Sequence, residues 1–369
     1  MVVKLADVAK AAGVSTATAS VALSHSSTKT IRITAKTALR IQQIAQNLGY
    51  VPNISAKRLC GKATRVIGVI IDSHAVASAY EVLQAITQEA QAIGYQVMVS
   101  EVHNSVKGVH RSYQELLRYG VDGTICLAHD YPEQREDFLN EFSNLKNFVV
   151  LNPVAGTTLN GPKIDVSNAL HEVMEHLKSQ GCDRVGCIIP DTLVWDIEQR
   201  LICLADWSNA NHVPEPVRFQ VKFSPDRNWI AKSMQEYAQS FAATGKLNAV
   251  LVFNDLYATY FCNALQRLGI SIPEDVAVVG WDNSAFCETL SPSLSSIDCN
   301  TRQQGVTAFH LLQKQLTPEE STPCNPIVQA RFIARNSSQR NNGIPPRQTV
   351  LETVDPKNIC KYVPASFSI

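Results

Sequence analysis

Lysine and arginine side chains are concentrated at one end of this chain, where they could bind a polyanion. Residues 1–62 contain nine of them and a single acidic residue, Asp7, whereas the rest of the chain contains 24 basic and 32 acidic residues. The formal net charge of zero is therefore the sum of +8 in residues 1–62 and −8 in the rest of the chain. A short cationic segment on a longer anionic body indicates a polyanion-binding head attached to a second functional unit.

A second group of polar side chains follows apolar runs further along the chain. It comprises Asp72, Asn152, Asn254, Asp255 and Asp282. Carboxylates and amides at strand ends could hydrogen-bond a small ligand, although each could equally be the N-cap of a following helix. There is no P-loop, no Gly-x-Ser-x-Gly and no paired metal-type histidine motif, and the nine histidines look scattered. We therefore expect no enzyme, no catalytic residue, no cofactor and no metal.

Composition narrows the class further. A chain of 369 residues is long enough for two or three compact units. No apolar run approaches a membrane span, and the N-terminus lacks a secretory signal, so we expect a cytoplasmic protein without a membrane partner. The ten cysteines form no CxxC pair, which favours buried, reduced thiols over disulfides.

The head's elements begin with two short helices joined by a turn. The first has an apolar face at helical spacing, formed by Leu5, Val8, Ala9 and Ala12. Gly13 should end it, because glycine tolerates positive φ, and Ser15 should cap the second helix. Two short helices with a glycine-containing turn predict a helix-turn-helix. The same pattern also occurs in small helical bundles without a nucleic-acid role, but the cationic charge favours DNA.

The second helix presents small side chains outward, which allows close approach to a DNA major groove. These are Thr16, Ala17, Thr18, Ser20 and Val21. A third helix is predicted from about Thr34 to Leu48. Its apolar residues, expected to close a three-helix core, are Leu39, Ile41, Ile44, Ala45 and Leu48.

A linker follows the third helix. Pro52 blocks continuation of that helix, and the next segment, 54–62, is only about two helical turns long. Helices this short are marginal in water without a partner, so the linker can be disordered when free and helical when docked.

From Arg65 the pattern changes to short apolar runs alternating with helical stretches. The runs are Val66–Ile71, Gln96–Ser100, Gly123–Leu127, Phe148–Leu151, Val185–Ile189, Ala249–Phe253 and Val276–Val279. Such runs are typical of parallel strands buried on both faces. The length suits two doubly wound α/β subdomains with a ligand-binding cleft at the carboxyl ends of their strands.

Specific motifs in the head and linker resemble the lactose/galactose repressor (LacI/GalR) family. They are Asp-Val-Ala-x-x-Ala-Gly-Val-Ser-x-x-Thr at 7–18, Leu-Gly-Tyr-x-Pro-Asn at 48–53 and Ala-Lys-Arg-Leu at 56–59. The resemblance continues to about residue 338. It implies an N-terminal all-α helix-turn-helix head of three helices plus a hinge helix, followed by an α/β periplasmic-binding-protein-like body of two doubly wound subdomains. The expected domains are 1–49, the linker 50–63, the effector-binding and dimerisation body 64–338, and a C-terminal tail 339–369.

The resemblance also implies a double-stranded, palindromic DNA operator bound by a homodimer at the bacterial nucleoid. Two hinge helices would pair in the minor groove, where Leu59 would wedge open the central base step. Val21 stands where many relatives have a polar or basic residue, which favours readout through thymine methyls and DNA shape. The expected DNA-binding residues are Leu5, Ser15, Thr16, Ala17, Thr18, Ser20, Val21, Thr34, Thr37, Tyr50, Asn53, Ala56, Lys57 and Leu59.

In the body, the resemblance implies a small-molecule effector, a sugar or related metabolite, in the cleft. Arg200 stands where relatives keep an effector-binding arginine, whereas Trp281 is expected in the core. The expected effector-binding residues are Arg200, Asn254, Asp282, Trp229, Asn152 and Asp72. The first subdomain departs from the family, because Val76–Ala79 replaces Asn-Pro-Phe-Phe.

Two functions from different classes remain. The first is a sequence-specific transcription regulator, a repressor controlled by the effector. The alternative is a solute-binding or sensory protein with a vestigial DNA-binding head, which the missing secretory signal and the intact linker motif disfavour.

Overall fold

The computed structural model describes residues 3–23, 33–51, 63–74, 77–103, 105–128, 131–192, 194–244, 247–317 and 325–340. The chain divides into two compact units, 1–64 and 65–369. We call the first unit the head and the second the body.

The head contains three helices over its described residues. They are α1 (Leu5–Ala12), α2 (Thr16–Leu23) and α3 (Ala35–Asn47). Their buried side chains are mostly alanines, and they comprise Val8, Ala9, Ala12, Ala19, Ala22, Ile41 and Ala45. Small core residues let the helices approach closely, and the predicted three-helix head is confirmed.

Two leucines predicted for the head core lie outside it. Leu39 is 65% exposed and Leu48 is 40% exposed. Leu39 precedes the buried Ile41 by two residues, which places it about 160° around α3 on the opposite face. Leu48 caps the C-terminal end of α3 rather than lying within the helix. The prediction that these two side chains close the core is therefore wrong.

The first subdomain of the body is a parallel sheet of four strands in the order β2-β1-β3-β4. Its core contains Ile70 and Val150 from the sheet and Phe138 from a covering helix. The elements are β1 (Val66–Asp72), α4 (Ala77–Ala92), β2 (Gln96–Val102), α5 (Val106–Tyr119), β3 (Gly123–Cys126), a 3-10 turn (Pro132–Gln134), α6 (Arg135–Phe142) and β4 (Phe148–Val150). A short strand, β5 (Lys163–Asp165), then leads out of this subdomain.

The second subdomain is a six-stranded sheet in the order β12-β10-β9-β8-β6-β7, in which β12 is antiparallel to β10. Apolar clusters cover both faces of its sheet. Its elements up to β10 are α7 (Ser167–Ser179), β6 (Val185–Pro190), α8 (Trp195–Asn211), β7 (Val217–Val221), α9 (Arg227–Thr244), β8 (Ala249–Val252), α10 (Asp255–Arg267), β9 (Ala277–Trp281), a 3-10 turn (Ala285–Glu288) and β10 (Ser295–Asp298).

The chain then returns to the first subdomain before it ends in the second. Helix α11 (Thr301–Gln315) packs Phe309 and Leu312 into the core of the first sheet. Gly305 allows this, because a Cβ there would lie 2.5 Å from the carbonyl oxygen of Val82 in α4. Strand β11 (Ile327–Gln329) pairs with β5 in parallel, and β12 (Arg331–Ile333) joins the second sheet. Three chain crossings therefore connect the two subdomains.

The C-terminal end of the described residues is fixed to the second subdomain. The guanidinium of Arg340 donates to the carbonyl oxygens of Pro273 at 3.0 Å and Asn248 at 2.9 Å. Arg340, the second residue of the predicted tail, is thus bonded to the second subdomain. The rest of that tail, 341–369, lies outside the described residues.

Several negative findings apply to the described part of the chain. No helix there is long and apolar enough to cross a membrane. The cysteines described are free thiols, and Cys60, Cys324 and Cys360 lie outside that part. Within the same ranges, no group of three or more His, Cys, Asp or Glu side chains could hold a metal ion.

Candidate nucleic-acid interface and effector cleft

The turn between α1 and α2 is fixed by two residues with special roles. Gly13 adopts φ 63°, and its N–H bonds the carbonyl of Lys10 at 3.2 Å. The left-handed conformation ends α1 as expected for glycine. Ser15 then accepts a bond from the backbone N–H of Thr18 at 3.1 Å, which caps α2. Both local signals in the sequence therefore have the structural roles predicted for them.

Helix α2 buries two of its alanines and presents hydroxyl and small apolar side chains outward. Ala19 and Ala22 are buried at 0% and 4% exposure. Thr16 and Ala17 are exposed, whereas Ser20 and Val21 are half-buried. The outer face of α2 thus carries only short side chains with hydroxyl and methyl groups, which could lie close to base edges.

Polar side chains of α3 bond the C-terminal ends of α1 and α2. Arg40 donates to the carbonyl of Ala12 at 3.0 Å, and Gln42 donates to the carbonyl of Ala22 at 3.0 Å. Both acceptors lie at the C-terminal ends of their helices, where carbonyls lack intrahelical donors. These bonds fix the angle between α1 and α2.

The remaining predicted DNA contacts are described in part. Thr34 caps α3 by accepting from the N–H of Thr37 at 3.2 Å. Tyr50 is half-buried, and burial raises the pKa of its phenol. Leu5 is half-buried in α1. Asn53, Ala56, Lys57 and Leu59 lie outside the described residues.

In the body, Arg200 of α8 is held by three groups. Its Nη1 donates to the carbonyl of Phe253 at 3.0 Å, and its Nη2 pairs with Asp196 one turn earlier. Its guanidinium carbon lies 3.6 Å from the centroid of the Trp281 ring. Stacking and an ion pair together fix the guanidinium plane.

One buried N–H group of Arg200 has no hydrogen-bond acceptor in the described part of the chain. Its Nε–H is buried and has no hydrogen-bond partner among the described residues. Buried donors are nearly always paired, so this group marks a place where a ligand acceptor would be stabilised. Trp281 is buried, as expected, and also supports this arginine.

Asn254 and Asp282 meet at the carboxyl ends of neighbouring strands. Asn254 caps α10 by accepting from the N–H of Leu256 at 2.9 Å. Its amide nitrogen donates to Oδ2 of Asp282 at 2.7 Å. The amide oxygen of Asn254 therefore caps the helix, while its amide nitrogen lies in the predicted ligand site. One side chain can serve both roles.

The carboxyl of Asp282 has an unusual environment. Burial is the main cause that raises its pKa to about 8, nearby Asp255 adds to the rise, and Arg200 opposes it. At neutral pH this carboxyl is therefore largely protonated and can donate a hydrogen bond as well as accept one.

The other predicted effector residues have internal partners. Trp229, in the first turn of α9, is 39% exposed and donates from its indole to the carbonyl of Lys222 at 3.1 Å. Asn152 is buried and accepts from the N–H of Ile164 at 3.2 Å, where the chain leaves the first subdomain. Among the described residues, the indole N–H of Trp229 is thus bonded to a backbone carbonyl and not to Asn254 or Asp282.

Asp72 organises a cluster at the strand ends of the first subdomain. It accepts from the N–H of His74 at 2.7 Å and the hydroxyl of Tyr131 at 3.2 Å. His103 Nδ1 lies 3.1 Å from its carboxylate, and the rings of His74 and His103 are 3.6 Å apart. The expectation that the histidines are scattered is wrong for these two. They follow β1 and β2, which the structure shows to be neighbouring parallel strands.

Comparison with known proteins finds one family match in the head and another in the body. Residues 4–53 match the bacterial regulatory proteins of the lacI family, and residues 174–338 match a periplasmic binding protein-like domain. The chain is 25% identical to the HTH-type transcriptional regulator DegA of Bacillus subtilis, over 91% of this chain and 98% of that protein. It is 26% identical to catabolite control protein A of Staphylococcus xylosus, over 92% of this chain and all of that protein. The chain therefore combines a LacI-family DNA-binding domain with a periplasmic-binding-protein-like domain.

The fold of this chain is also found in solved structures. The lac repressor dimer bound to operator and the anti-inducer ONPF aligns with a TM-score of 0.79 at 24% identity, over 92% of this chain and all of that one. The predicted architecture, a helix-turn-helix head on a periplasmic-binding-protein-like body, is thereby confirmed.

The LacI-family DNA-binding domain and the similarity to transcription regulators over most of the chain confirm the predicted class, a DNA-binding transcription regulator. The two curated relatives above are regulators rather than enzymes, which agrees with the expected function class. The individual DNA-binding and effector-binding residues and the domain limits stay predictions.

Proposed function

We propose that this regulator is a repressor that binds a palindromic operator as a homodimer and responds to a small metabolite in the cleft of its body. The proposed units are 1–49 for the head, 50–63 for the hinge, 64–338 for the effector-binding and dimerisation body, and 339–369 for the tail. The proposed location is the bacterial cytoplasm, at the nucleoid.

The observation that carries the DNA-binding role is the outer face of α2. It offers exposed Thr16 and Ala17 beside half-buried Ser20 and Val21, on a helix that is capped at its start by Ser15 and bonded at its end by α3. Hydroxyls can bond base edges, and methyl groups can contact the C5-methyl of thymine. Such a face suits a groove rich in A·T pairs.

The proposed homodimer follows from the size of this face. One α2 helix covers a single half-site, so a specific operator requires two heads related by symmetry. The lac repressor, whose fold this chain shares, is a dimer when bound to its operator. Leu59 of each hinge is proposed to wedge the central step, with Lys57 adding cationic contacts.

The effector role is supported by the Arg200 group. A pre-positioned guanidinium with an unpaired buried N–H, next to the Asn254–Asp282 pair, suits a ligand with several hydroxyls. We propose that a sugar or related metabolite contacts Arg200, Asn254 and Asp282, with Trp229, Asn152 and Asp72 nearby. Ligand binding would favour one spacing of the two subdomains and so change operator affinity.

The deciding experiment is random-site selection with the full chain, followed by mobility-shift titration. We expect an enriched inverted repeat bound by two chains. Ala17→Glu places a charge on the outer face of α2 and should abolish this binding. Gln43→Glu, on the exposed opposite face of α3, is the matched control and should stay near wild type.

Two outcomes would contradict the proposal. No enriched sequence, together with ligand binding by the body, would favour a solute-binding protein with a vestigial head. Equal losses from Ala17→Glu and Gln43→Glu would mean that α2 is not the reading helix.

A further inference from the structure

An ion pair joins the two subdomains of the body away from the chain crossings. Nη1 of Arg135 in α6 lies 3.3 Å from Oε2 of Glu198 in α8. Helix α6 packs Phe138 and Phe142 into the core of the first subdomain, whereas α8 packs Ile197 and Leu201 into the second. The pair therefore spans the space between two separate cores.

Both partners stand on rigid supports. The turn before α6 is closed by a bond from the N–H of Gln134 to the carbonyl of Tyr131 at 2.8 Å, and Gln134 also accepts from the N–H of Val106 at 3.0 Å. Tyr131 in turn bonds Asp72. Arg135 is thus tied to the strand ends of the first subdomain.

Glu198 has the matching position on the other side. It lies in the first turn of α8, the helix that also carries Asp196 and Arg200. At about 100° per residue, Asp196 and Arg200 flank one edge of the core-facing stripe of α8 and Glu198 flanks the other. One helix end therefore holds both the proposed effector arginine and the partner of Arg135.

The placement of Arg135 is not explained by the stability of its own helix. It is the first residue of α6, where the positive end of the helix dipole disfavours a cation. Glu198, by contrast, is a carboxylate in the first turn of α8, where the positive end of the helix dipole is favourable for it. The charge of Arg135 is thus unfavourable for its own helix, but it lies beside a carboxylate of the other subdomain. This position indicates a role between the subdomains.

We propose that Arg135 and Glu198 form a latch that holds the two subdomains together and sets how often the cleft is closed. This deepens the regulation proposed for the cleft and rests on that proposal. The side chains are 25% and 35% exposed, so the pair is partly screened and moderate in strength. Breaking it should change the ratio of closed to open forms two- to fivefold, the equivalent of about 0.5–1 kcal/mol.

The test is a charge-swap cycle with a distance readout on the full chain without DNA. Spin labels are attached to p-acetylphenylalanine in place of exposed Lys107 and Asp206, because ten native cysteines rule out thiol labelling. Pulsed electron resonance then measures the two populations in wild type, Arg135→Glu, Glu198→Arg and the double swap. We expect each single reversal to reduce the short-distance population and the double swap to restore it.

A matched control lies within one subdomain. Glu215 and Arg218 are 2.8 Å apart with side chains 40% and 37% exposed, and swapping their charges should leave both populations unchanged. Should a reversal variant melt early, Glu198→Gln keeps the shape and should still lower the closed fraction. Unchanged distances in the single reversals, or no restoration in the double swap, would overturn the latch.

Operator affinity of the same variants separates this inference from the proposed function. A shift in label distance with a matching change in operator affinity supports both. A shift in distance with unchanged operator affinity leaves the latch in place and removes the link between cleft and operator.

Discussion

The head and the body differ in how their candidate functional residues are bonded. In the head, Thr16 and Ala17 lie exposed on α2, and the helices are fixed by side chains of α3, with Arg40 bonding α1 and Gln42 bonding α2. In the body, Arg200 and Asn254 already have partners inside the protein.

This difference predicts different consequences of mutation. Side chains on the outer face of α2 can change DNA binding without changing the fold, because the core does not depend on them. Side chains of the body site stabilise the subdomain and position one another, so a substitution there should change ligand binding and stability together.

The largest expected effect tests whether the two units are independent. Ile41 is fully buried in a head core built mainly of alanines. Ile41→Ala should cost about 2–5 kcal/mol, which is enough to unfold so small a unit. Operator binding should disappear, while calorimetry shows the body melting at its wild-type temperature. A joint fall in both transitions would contradict the division.

Arg200→Ala should have the next largest effect and should change two properties at once. Loss of charge-assisted bonds to Asp196 and Phe253 should cost about 1.5–3 kcal/mol of body stability. Effector response should weaken at least tenfold, with operator affinity retained. An early melt with a normal effector response would make Arg200 purely structural.

The head was the more predictable unit because its signals are local. Gly13 and Ser15 act on their immediate neighbours, and the alanine faces follow helical spacing. Leu39 was misplaced because apolar character alone was taken as burial, although its angle on α3 points away from Ile41. An exposed leucine is common on protein surfaces, so the residue type carried little information.

In the body, the apolar runs predicted as strands correspond to strands of the structure, whereas β5, β7, β10, β11 and β12 have no such run. Strand β10 (Ser295–Asp298) is buried despite its serines. The hydroxyl of Ser295 donates to the carbonyl of Arg335, and its N–H donates to the hydroxyl of Ser337. Those partners lie about 40 residues away, so no local pattern could reveal them.

The candidate site shows the same limit. The pairing of Asp196 with Arg200 follows from one helical turn and was open to prediction. The cluster of Asp72, His74 and His103 depends on β1 and β2 being neighbours in the sheet, which only the topology supplies. Sequence reasoning therefore found residues by motif but not the partners that hold them.

The effect expected from the Asp282 carboxyl depends on pH. In the unfolded chain this group loses its proton near pH 4, whereas in the folded body its pKa is about 8. Folding therefore takes up a proton between these values, and stability falls as pH rises through that window. Asp282→Asn keeps an acceptor for Asn254 and carries no titratable proton.

Thermal melts from pH 4 to 9 would measure this linkage. The wild-type melting temperature should decline towards high pH more steeply than that of Asp282→Asn. Parallel profiles would show that Asp282 ionises at an ordinary pKa. The matched control is Asp206→Asn on the exposed side of α8, which should leave the slope unchanged.

The smallest effect should come from Val21, and it tests the DNA-facing surface directly. Val21→Ala removes two methyl groups from a half-buried position on α2. If these contact a thymine methyl, operator affinity should fall by about 1 kcal/mol, or roughly fivefold, with little change in head stability. Replacing that thymine by deoxyuridine should cost wild type a similar amount and cost Val21→Ala almost nothing. Additive losses would mean that the Val21 side chain does not contact the thymine methyl, because only contacting groups are coupled in such a cycle. The body allows no comparably clean cycle, since each candidate there is bonded to its neighbours before any ligand arrives.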